Sequence, residues 1–143
     1  MMEPTDGKEP SGVTEPTTLA ILAARAAAEK QGRDILILDV GALISIVDHF
    51  VLVSGATDRQ VKAIVDAIED ALRSEGFRPL RREGENALRW VLLDYGDFVV
   101  HVFHAEERAY YELERLWKDA PIIDAGLDDE SSAPDAAANA SQR

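Results

Sequence analysis

Two apolar segments separated by only two residues place the strongest constraint on the fold of this chain. Residues 88–94 and 97–104 flank Tyr95-Gly96, and this arrangement is typical of a β-hairpin. If these two residues form the loop, Trp90 lies directly opposite His101. Directly opposed residues share a face of the sheet, so the pairing also predicts which side chains lie together.

Both faces of this predicted hairpin are apolar. One face carries Val91, Leu93, Phe98, Val100 and Val102, and the other carries Leu88, Trp90, Leu92, Val99, His101 and Phe103. A sheet with one face in water alternates apolar and polar residues, so both faces are expected to be covered. Either helices of the same chain cover both, or part of the Trp90 side binds a partner. Tryptophan is favoured in protein interfaces because it supplies buried area and a hydrogen-bond donor.

The remaining apolar patterns predict further helices and strands. Helices are predicted from Thr17 or Thr18 to Gly32, over residues 57–75 and over residues 106–117, and strands over residues 34–40, 49–54 and 77–82. Pro79 places the last of these strands at an edge of the sheet, because proline cannot donate a ladder hydrogen bond. This order predicts an α/β fold with a mixed sheet of about five strands and three main helices.

The negative charge of the chain is concentrated at its ends. The 143 residues carry a formal net charge of −12, of which residues 1–17 contribute −3, residues 119–143 contribute −5 and residues 18–118 the remaining −4. Both ends are rich in Pro, Ser, Thr, Ala and Gly, and they bury too little apolar surface to offset the entropy of ordering them. We therefore predict a disordered N-terminal tail and a largely disordered C-terminal tail around one α/β domain.

This charge balance argues against direct nucleic-acid binding. Proteins that bind nucleic acid normally present a basic stripe that neutralises phosphates, and residues 18–118 have none. A basic protein partner fits an acidic domain better. The sequence has no cysteine, no apolar run long enough to span a membrane and no secretory signal at its start. A cytoplasmic protein without a cofactor and without a membrane partner is expected.

The polar residues of the sequence do not define a reaction. His101 and His104 are three apart on a predicted strand and point to opposite faces, so they cannot chelate one ion together. Ser54-Gly55 precedes a helix, where an anion pocket can form, but a tight start to the helix explains it as well. Asp94 and Asp97 resemble a carboxylate pair, but aspartates also favour hairpin turns for their backbone hydrogen bonds. We interpret all three histidines as packed or hydrogen-bonded side chains.

A series of short motifs nevertheless resembles one known family. The series comprises Asp34-Ile35, Leu38-Asp39-Val40, Asp48-His49-Phe50-Val51, Ser54-Gly55, Arg59-Gln60-Val61, Glu83-Gly84, Trp90, Asp94-Tyr95-Gly96-Asp97, Val99-Val100-His101-Val102-Phe103, Arg108 and Tyr111-Glu112-Leu113-Glu114-Arg115-Leu116-Trp117. In order and spacing it is similar to the ribosomal silencing factor family, also called the Iojap-like family. The resemblance covers about residues 18–120, and the combination of Gly-Asp, Val-Val-His and Leu-Glu-x-Leu-Trp makes it specific.

The resemblance implies a protein that binds the large ribosomal subunit through ribosomal protein fourteen. Such a protein blocks association with the small subunit and represses translation under nutrient limitation. The resemblance also implies a possible homodimer and a fold like that of nucleotidyltransferases without their chemistry. Active nucleotidyltransferases carry Gly-Ser at the helix start and an Asp-x-Asp pair for magnesium. Here Gly55 is followed by Ala56, and two residues separate Asp94 from Asp97, so no enzymatic activity is expected.

Five residues are candidates for the partner-binding surface. Trp90 and Leu92 are expected to contact the partner, with His101 beside them, and Arg59 at the helix start and Glu83 at the turn are expected to add contacts. Two alternatives stay open. One is a nucleotidyltransferase-like enzyme that uses the two aspartates of the hairpin turn and a metal ion. The other is an adaptor in ribosome biogenesis, the process in which organelle relatives of the family act.

Overall fold

The computed structural model describes residues 16–111, 115 and 118–127. Within this part of the chain the helices are α1 (Pro16–Glu29), α2 (Asp58–Ser74) and α3 (Ala105–Tyr111), and the strands are β1 (Arg33–Asp39), β2 (His49–Gly55), β3 (Arg81–Glu83), β4 (Trp90–Asp94), β5 (Phe98–His104) and β6 (Ile122–Ile123). The strands form one sheet in the order β3-β4-β5-β2-β1-β6. β2 and β5 are parallel, and all other neighbours are antiparallel. The predicted α/β fold with a mixed sheet and three helices is confirmed. The strand predicted over residues 77–82 lies at an edge as expected, but it is shorter than predicted, covers Arg81–Glu83 and does not include Pro79.

The sheet has six strands rather than about five, and the additional strand lies beyond the predicted end of the domain. β6 pairs with β1, and the Asp39 N–H donates a hydrogen bond to the Pro121 carbonyl at 2.8 Å just before it. The acidic composition of residues 119–143 concealed this short apolar segment, because two isoleucines barely change an average over the tail. The rest of both predicted tails, residues 1–15 and 128–143, lies outside the described residues.

The described part of the last helix is fixed to the sheet by a buried arginine. Arg108 of α3 donates hydrogen bonds to the Ser54 Oγ at 2.9 Å and to the Asp34 carbonyl at 2.8 Å. Buried charged donors contribute to stability only when they are paired in this way. Arg108 therefore holds α3 against β2 and β1, and residues 112–114 and 116–117 of the predicted helix lie outside the described residues.

The hairpin of β4 and β5 forms, but its predicted register is wrong by two residues. Trp90 lies opposite Phe103, and Leu92 rather than Trp90 lies opposite His101. Residues 95–97 therefore connect β4 to β5, and the turn is centred one residue later than predicted. Because side chains alternate with a period of two, a shift of two residues leaves every side chain on its predicted face.

Interactions around Gly96 accompany this shift of the turn. The Asp94 carboxylate accepts a hydrogen bond from the Gly96 N–H at 2.8 Å, and the Tyr95 N–H donates to the Phe98 carbonyl at 3.0 Å. The rings of Tyr95 and Phe98 stack with centroids 5.0 Å apart. The hydrogen bond between Tyr95 and Phe98 closes the turn around Gly96 and Asp97, whereas the prediction placed Tyr95 and Gly96 in the turn.

Two helices, α1 and α2, cover the face of the sheet that carries Val91. The apolar side of α2 repeats at helical spacing and is buried, through Val61, Ile64, Val65, Ile68 and Leu72. It packs with α1 on the inward residues of four strands, which are Ile37, Val51, Val53, Val91, Leu93, Val100 and Val102. Helices of the same chain therefore cover this face, as the first of the two predicted alternatives requires.

Candidate protein-docking face

The opposite face of the sheet carries the candidate site, and we call it the Trp90 face. Side-chain alternation along β1, β2, β4 and β5 brings together Leu36, Leu38, Phe50, Leu52, Trp90, Leu92, His101 and Phe103. Most of these residues form a second, smaller core cluster with Val40 and Ala120. The face is therefore apolar at its centre, with one histidine among aliphatic and aromatic side chains.

The Trp90 face is covered less completely than the Val91 face by the described residues. α3 contacts β5 and β2, and the loop of residues 41–48 packs against the smaller cluster. Phe103 is fully buried, whereas Phe50, Trp90 and Leu92 are only half-buried. Contiguous apolar side chains that stay partly exposed are typical of surfaces that bind partners. The second predicted interpretation, that part of this face docks a partner, stays a prediction.

Four rings pack at the centre of the Trp90 face. The Trp90 Nε1 donates a hydrogen bond to the His101 Nδ1 at 3.1 Å, reaching diagonally across the ladder because the two residues are not direct partners. Trp90 also packs on Phe103, with ring centroids 4.9 Å apart. Phe50 meets His101 edge to face, again at 4.9 Å. These contacts hold the indole in one orientation and present it as a preformed aromatic surface.

The hydrogen bond from Trp90 assigns the protonation state of His101. A ring nitrogen that accepts a hydrogen bond carries no proton, so the neutral imidazole has its proton on Nε2. Burial lowers the pKa of His101 from 6.5 to about 4, so the ring is neutral at pH 7. The Nε2 atom is buried and has no hydrogen-bond partner. An unpaired buried donor is unfavourable, and the Nε2–H group of His101 is such a donor within this cluster.

Carboxylates lie beside the aromatic cluster where β4 begins. The Arg89 guanidinium contacts the carboxylates of Asp58, Glu106 and Glu107 at 3.7, 2.6 and 2.9 Å. The hydrogen bond from Arg89 lowers the pKa of Glu106, which therefore stays ionised. One positive charge faces three negative charges at this end of the sheet, and such an excess of negative charge suits a basic partner.

Glu83 adds a carboxylate on the side of β3. It lies directly opposite Leu92, so its side chain shares the Trp90 face, and it is exposed. Arg81 approaches Glu83 at 3.0 Å and Asp94 at 3.5 Å. Exposed ion pairs of this kind contribute little to stability, which leaves Glu83 available to a partner.

Four of the five predicted contact residues lie together. Trp90, Leu92 and His101 are neighbours on β4 and β5, and Glu83 is next to them on β3. Arg59 does not join them. It is exposed in the first turn of α2, and α2 packs on the Val91 side of the sheet.

Phe50 and the loop of residues 41–48 belong to the face although the sequence analysis did not assign them to it. Phe50 is brought there by the parallel pairing of β2 with β5, a long-range contact that local patterns do not predict. The sequence did contain a signal for the loop. Four of its residues, Leu43, Ile44, Ile46 and Val47, are large and aliphatic, which is unusual for an exposed connection.

The turn between β2 and α2 is a tight helix start rather than an open anion pocket. The Thr57 Oγ1 accepts a hydrogen bond from the Gln60 N–H at 3.1 Å, and the Gln60 side chain accepts from the Ala56 N–H at 2.6 Å. A side chain on Gly55 would come within 3.0 Å of Val61. Gly55 therefore allows the helix to pack closely on the strand, and the Gln60 side chain accepts from an N–H group that an anion would otherwise bind.

His49, His104 and Asp94 also have structural roles in the described residues. The His49 Nε2 lies 3.3 Å from the Thr17 Oγ1, and the His104 Nδ1 accepts from the Glu106 N–H at 3.2 Å. The Asp94 carboxylate binds within the hairpin loop. Among the described residues no group of three or more metal-ligating side chains is placed to hold an ion, and no helix is long and apolar enough to cross a membrane.

Together the fold and the site define a class of protein. It is an α/β domain whose sheet is closed by helices on one side and carries a half-buried aromatic cluster, with carboxylates nearby, on the other. A family model described as ribosomal silencing factor during starvation matches residues 13–143. The chain belongs to the ribosomal silencing factor family.

Individual relatives agree with this assignment. A ribosomal silencing factor from Bacillus subtilis is 46% identical over 103 residues, which cover 72% of this chain and 87% of that protein. The chloroplastic Iojap protein of Zea mays is 31% identical over 111 residues, or 78% of this chain and 48% of that protein. A crystal structure of a Chromobacterium violaceum protein superposes with a TM-score of 0.71 at 35% identity, covering 73% of this chain and 88% of that one. The family predicted from the motifs is confirmed.

Proposed function

We propose that this protein binds the large ribosomal subunit through ribosomal protein fourteen and thereby blocks association with the small subunit. Through this block it represses translation under nutrient limitation, in the cytoplasm and without a catalytic step. Membership of the silencing factor family supports the general role. The observation that carries the mode of binding is the Trp90 face, where Phe50, Trp90 and Leu92 are left half-buried by the described residues.

The physical requirements of such a protein are few. A factor that prevents two particles from joining needs affinity for one of them and steric overlap with the other. An aromatic cluster supplies affinity because large rings contribute most of the binding energy in protein interfaces. The excess of carboxylates around Arg89 directs the face toward a basic protein and away from RNA phosphates. Each of these properties follows from the residues of the Trp90 face and the carboxylates near it.

Binding is tested by sedimentation with purified large subunits. The wild-type chain is expected to travel with the large subunit at physiological salt, and cross-linking is expected to join it to ribosomal protein fourteen. Trp90→Ala is expected to weaken binding about thirtyfold, since loss of an interface tryptophan costs about 2 kcal/mol or more. Wild-type protein that stays at the top of the gradient contradicts the proposal.

A pair of charge reversals separates loss of binding from loss of fold. Glu83→Arg changes an exposed carboxylate of the Trp90 face, whereas Glu75→Arg makes the same change at the exposed end of α2 on the other side of the sheet. Only the first is expected to weaken binding, and circular dichroism should show both variants folded. Equal effects of the two reversals would mean that net charge, and not this face, governs binding.

A further inference from the structure

The loop of residues 41–48 presents two large aliphatic side chains to solvent beside the Trp90 face. Ile44 and Val47 point inward and pack against the smaller core cluster. Leu43 and Ile46, which alternate with them, are 52% and 79% exposed. Only two other large apolar side chains of the described residues are exposed, Leu80 and Ile122, and neither lies in this loop.

Backbone hydrogen bonds of the loop hold Leu43 and Ile46 in their exposed positions. The N–H groups of Leu43 and Ile44 both donate hydrogen bonds to the Val40 carbonyl, at 2.9 and 2.8 Å. The Val40 N–H donates to the Asp48 carbonyl at 3.0 Å and closes the base of the loop. Since the inward side chains are anchored in the core, the outward ones are held in solvent. Exposing apolar area in this way is unfavourable unless a partner covers it.

The carboxylates at the base of this loop have no ion-pair partner among the described residues. The Asp39 side chain accepts from the Gly41 N–H at 3.3 Å, and the Asp48 and His49 N–H groups bind the Asp97 carbonyl at 2.8 and 3.4 Å, which brings Asp97 to the same place. Among the described residues, Asp39, Asp48 and Asp97 form no ion pair. The loop therefore combines an apolar tip with a negatively charged base.

We propose that the loop of residues 41–48 is a second arm of the docking face, and that Leu43 and Ile46 contact the same basic ribosomal protein surface as Trp90. This inference rests on the proposed function. Continuity supports it, because the inward side of the loop belongs to the same cluster as Phe50 and Trp90. The negative charge at the base of the loop indicates which kind of partner binds there. A second copy of the chain would bring the same unpaired carboxylates, and a nucleic acid would bring phosphates, so a basic protein surface fits best.

The test compares a loop variant with a control variant by sedimentation with purified large subunits. The variant that carries Leu43→Ser and Ile46→Ser removes the exposed apolar tip of the loop. The control Leu80→Ser removes an exposed aliphatic side chain outside the loop, which at 75% exposure matches Ile46 at 79%. The loop variant is expected to bind about tenfold more weakly, and the control within twofold of wild type. Thermal unfolding is followed for both, and Ile46→Ser alone replaces the double variant if that one unfolds early.

The outcomes separate this inference from the proposed function. If wild type binds, Trp90→Ala binds weakly and the loop variant binds like wild type, the loop is not an arm of the face although the proposed function stands. If the loop variant loses self-association and keeps subunit binding, the occupant is a second copy and the inference is wrong. If wild type itself does not bind the large subunit, the proposed function and this inference fail together.

Discussion

At the scale of single residues, the pair formed by Trp90 and His101 determines the character of the docking face. The hydrogen bond at 3.1 Å fixes the indole, removes the proton from the Nδ1 and leaves the buried Nε2 as an unpaired donor. Because the Nε2 is buried in the free protein, its missing partner is a cost of the fold and not of binding. The imidazole therefore orients the indole, and the affinity of the surface comes from the rings.

His101 is expected to make the stability of the protein depend on pH. Burial lowers its pKa from 6.5 to about 4 in the folded state, so between these values the unfolded chain binds the proton and the folded chain does not. Stability is therefore complete above pH 6.5 and falls as the pH is lowered toward 4, by about 3 kcal/mol in total. Urea unfolding of wild type at pH 7 and pH 5 measures the loss.

The variant His101→Asn provides the control for this measurement. An asparagine side chain has no titration in this range and can still accept a hydrogen bond from the Trp90 Nε1. The variant should therefore lose less stability than wild type between pH 7 and pH 5. An identical loss in both proteins would show that other groups carry the pH dependence.

Single-residue roles were predictable where the chemistry is local. The turn role of Asp94 follows from its position beside a glycine, and the structure confirms it through the bond to the Gly96 N–H. The contact between Trp90 and His101 was predicted as a direct cross-strand pair, but it is a diagonal hydrogen bond. The reach of an indole across a ladder depends on its rotamer, which the sequence does not specify.

At the scale of elements, the hairpin shows why faces are easier to predict than register. Apolar residues occupy both faces of β4 and β5, so the hydrophobic pattern does not distinguish one even register from another. The turn decides the register, and moving its centre by one residue, from Tyr95-Gly96 to Gly96-Asp97, shifts the register by two. Both registers place the same side chains on the Val91 side and the Trp90 side, because side chains alternate along each strand.

The turn after β3 depends on Gly84 and provides a test at this scale. Gly84 has a φ of 81°, and a side chain there would collide with the Trp90 carbonyl. Gly84→Ala should therefore destabilise the protein by about 3 kcal/mol, through both backbone strain and the collision. Gly76 has a similar φ of 92° with nothing nearby, so Gly76→Ala should cost only about 1 kcal/mol. Chemical denaturation of the two variants measures the difference, and equal losses would contradict the close approach.

At the scale of the whole molecule, the unequal covering of the two faces is the central property. Predicting that both faces of the hairpin are covered was possible from its composition, but deciding what covers them was not. That outcome depends on β2 pairing with β5 and on α1 and α2 packing on one side, which are contacts between distant segments. The order of the strands, the addition of β6 and the place of the loop of residues 41–48 are non-local for the same reason.

The most direct test of the account is a subunit reassociation assay followed by light scattering. Purified large subunits are saturated with the protein, and small subunits are then added at a magnesium concentration that permits joining. Reassociation is expected to fall as the large subunits become occupied, and Trp90→Ala is expected to restore it at the same protein concentration. Normal reassociation of large subunits that demonstrably carry the protein would show that it binds without standing between the two particles, and would contradict the central claim.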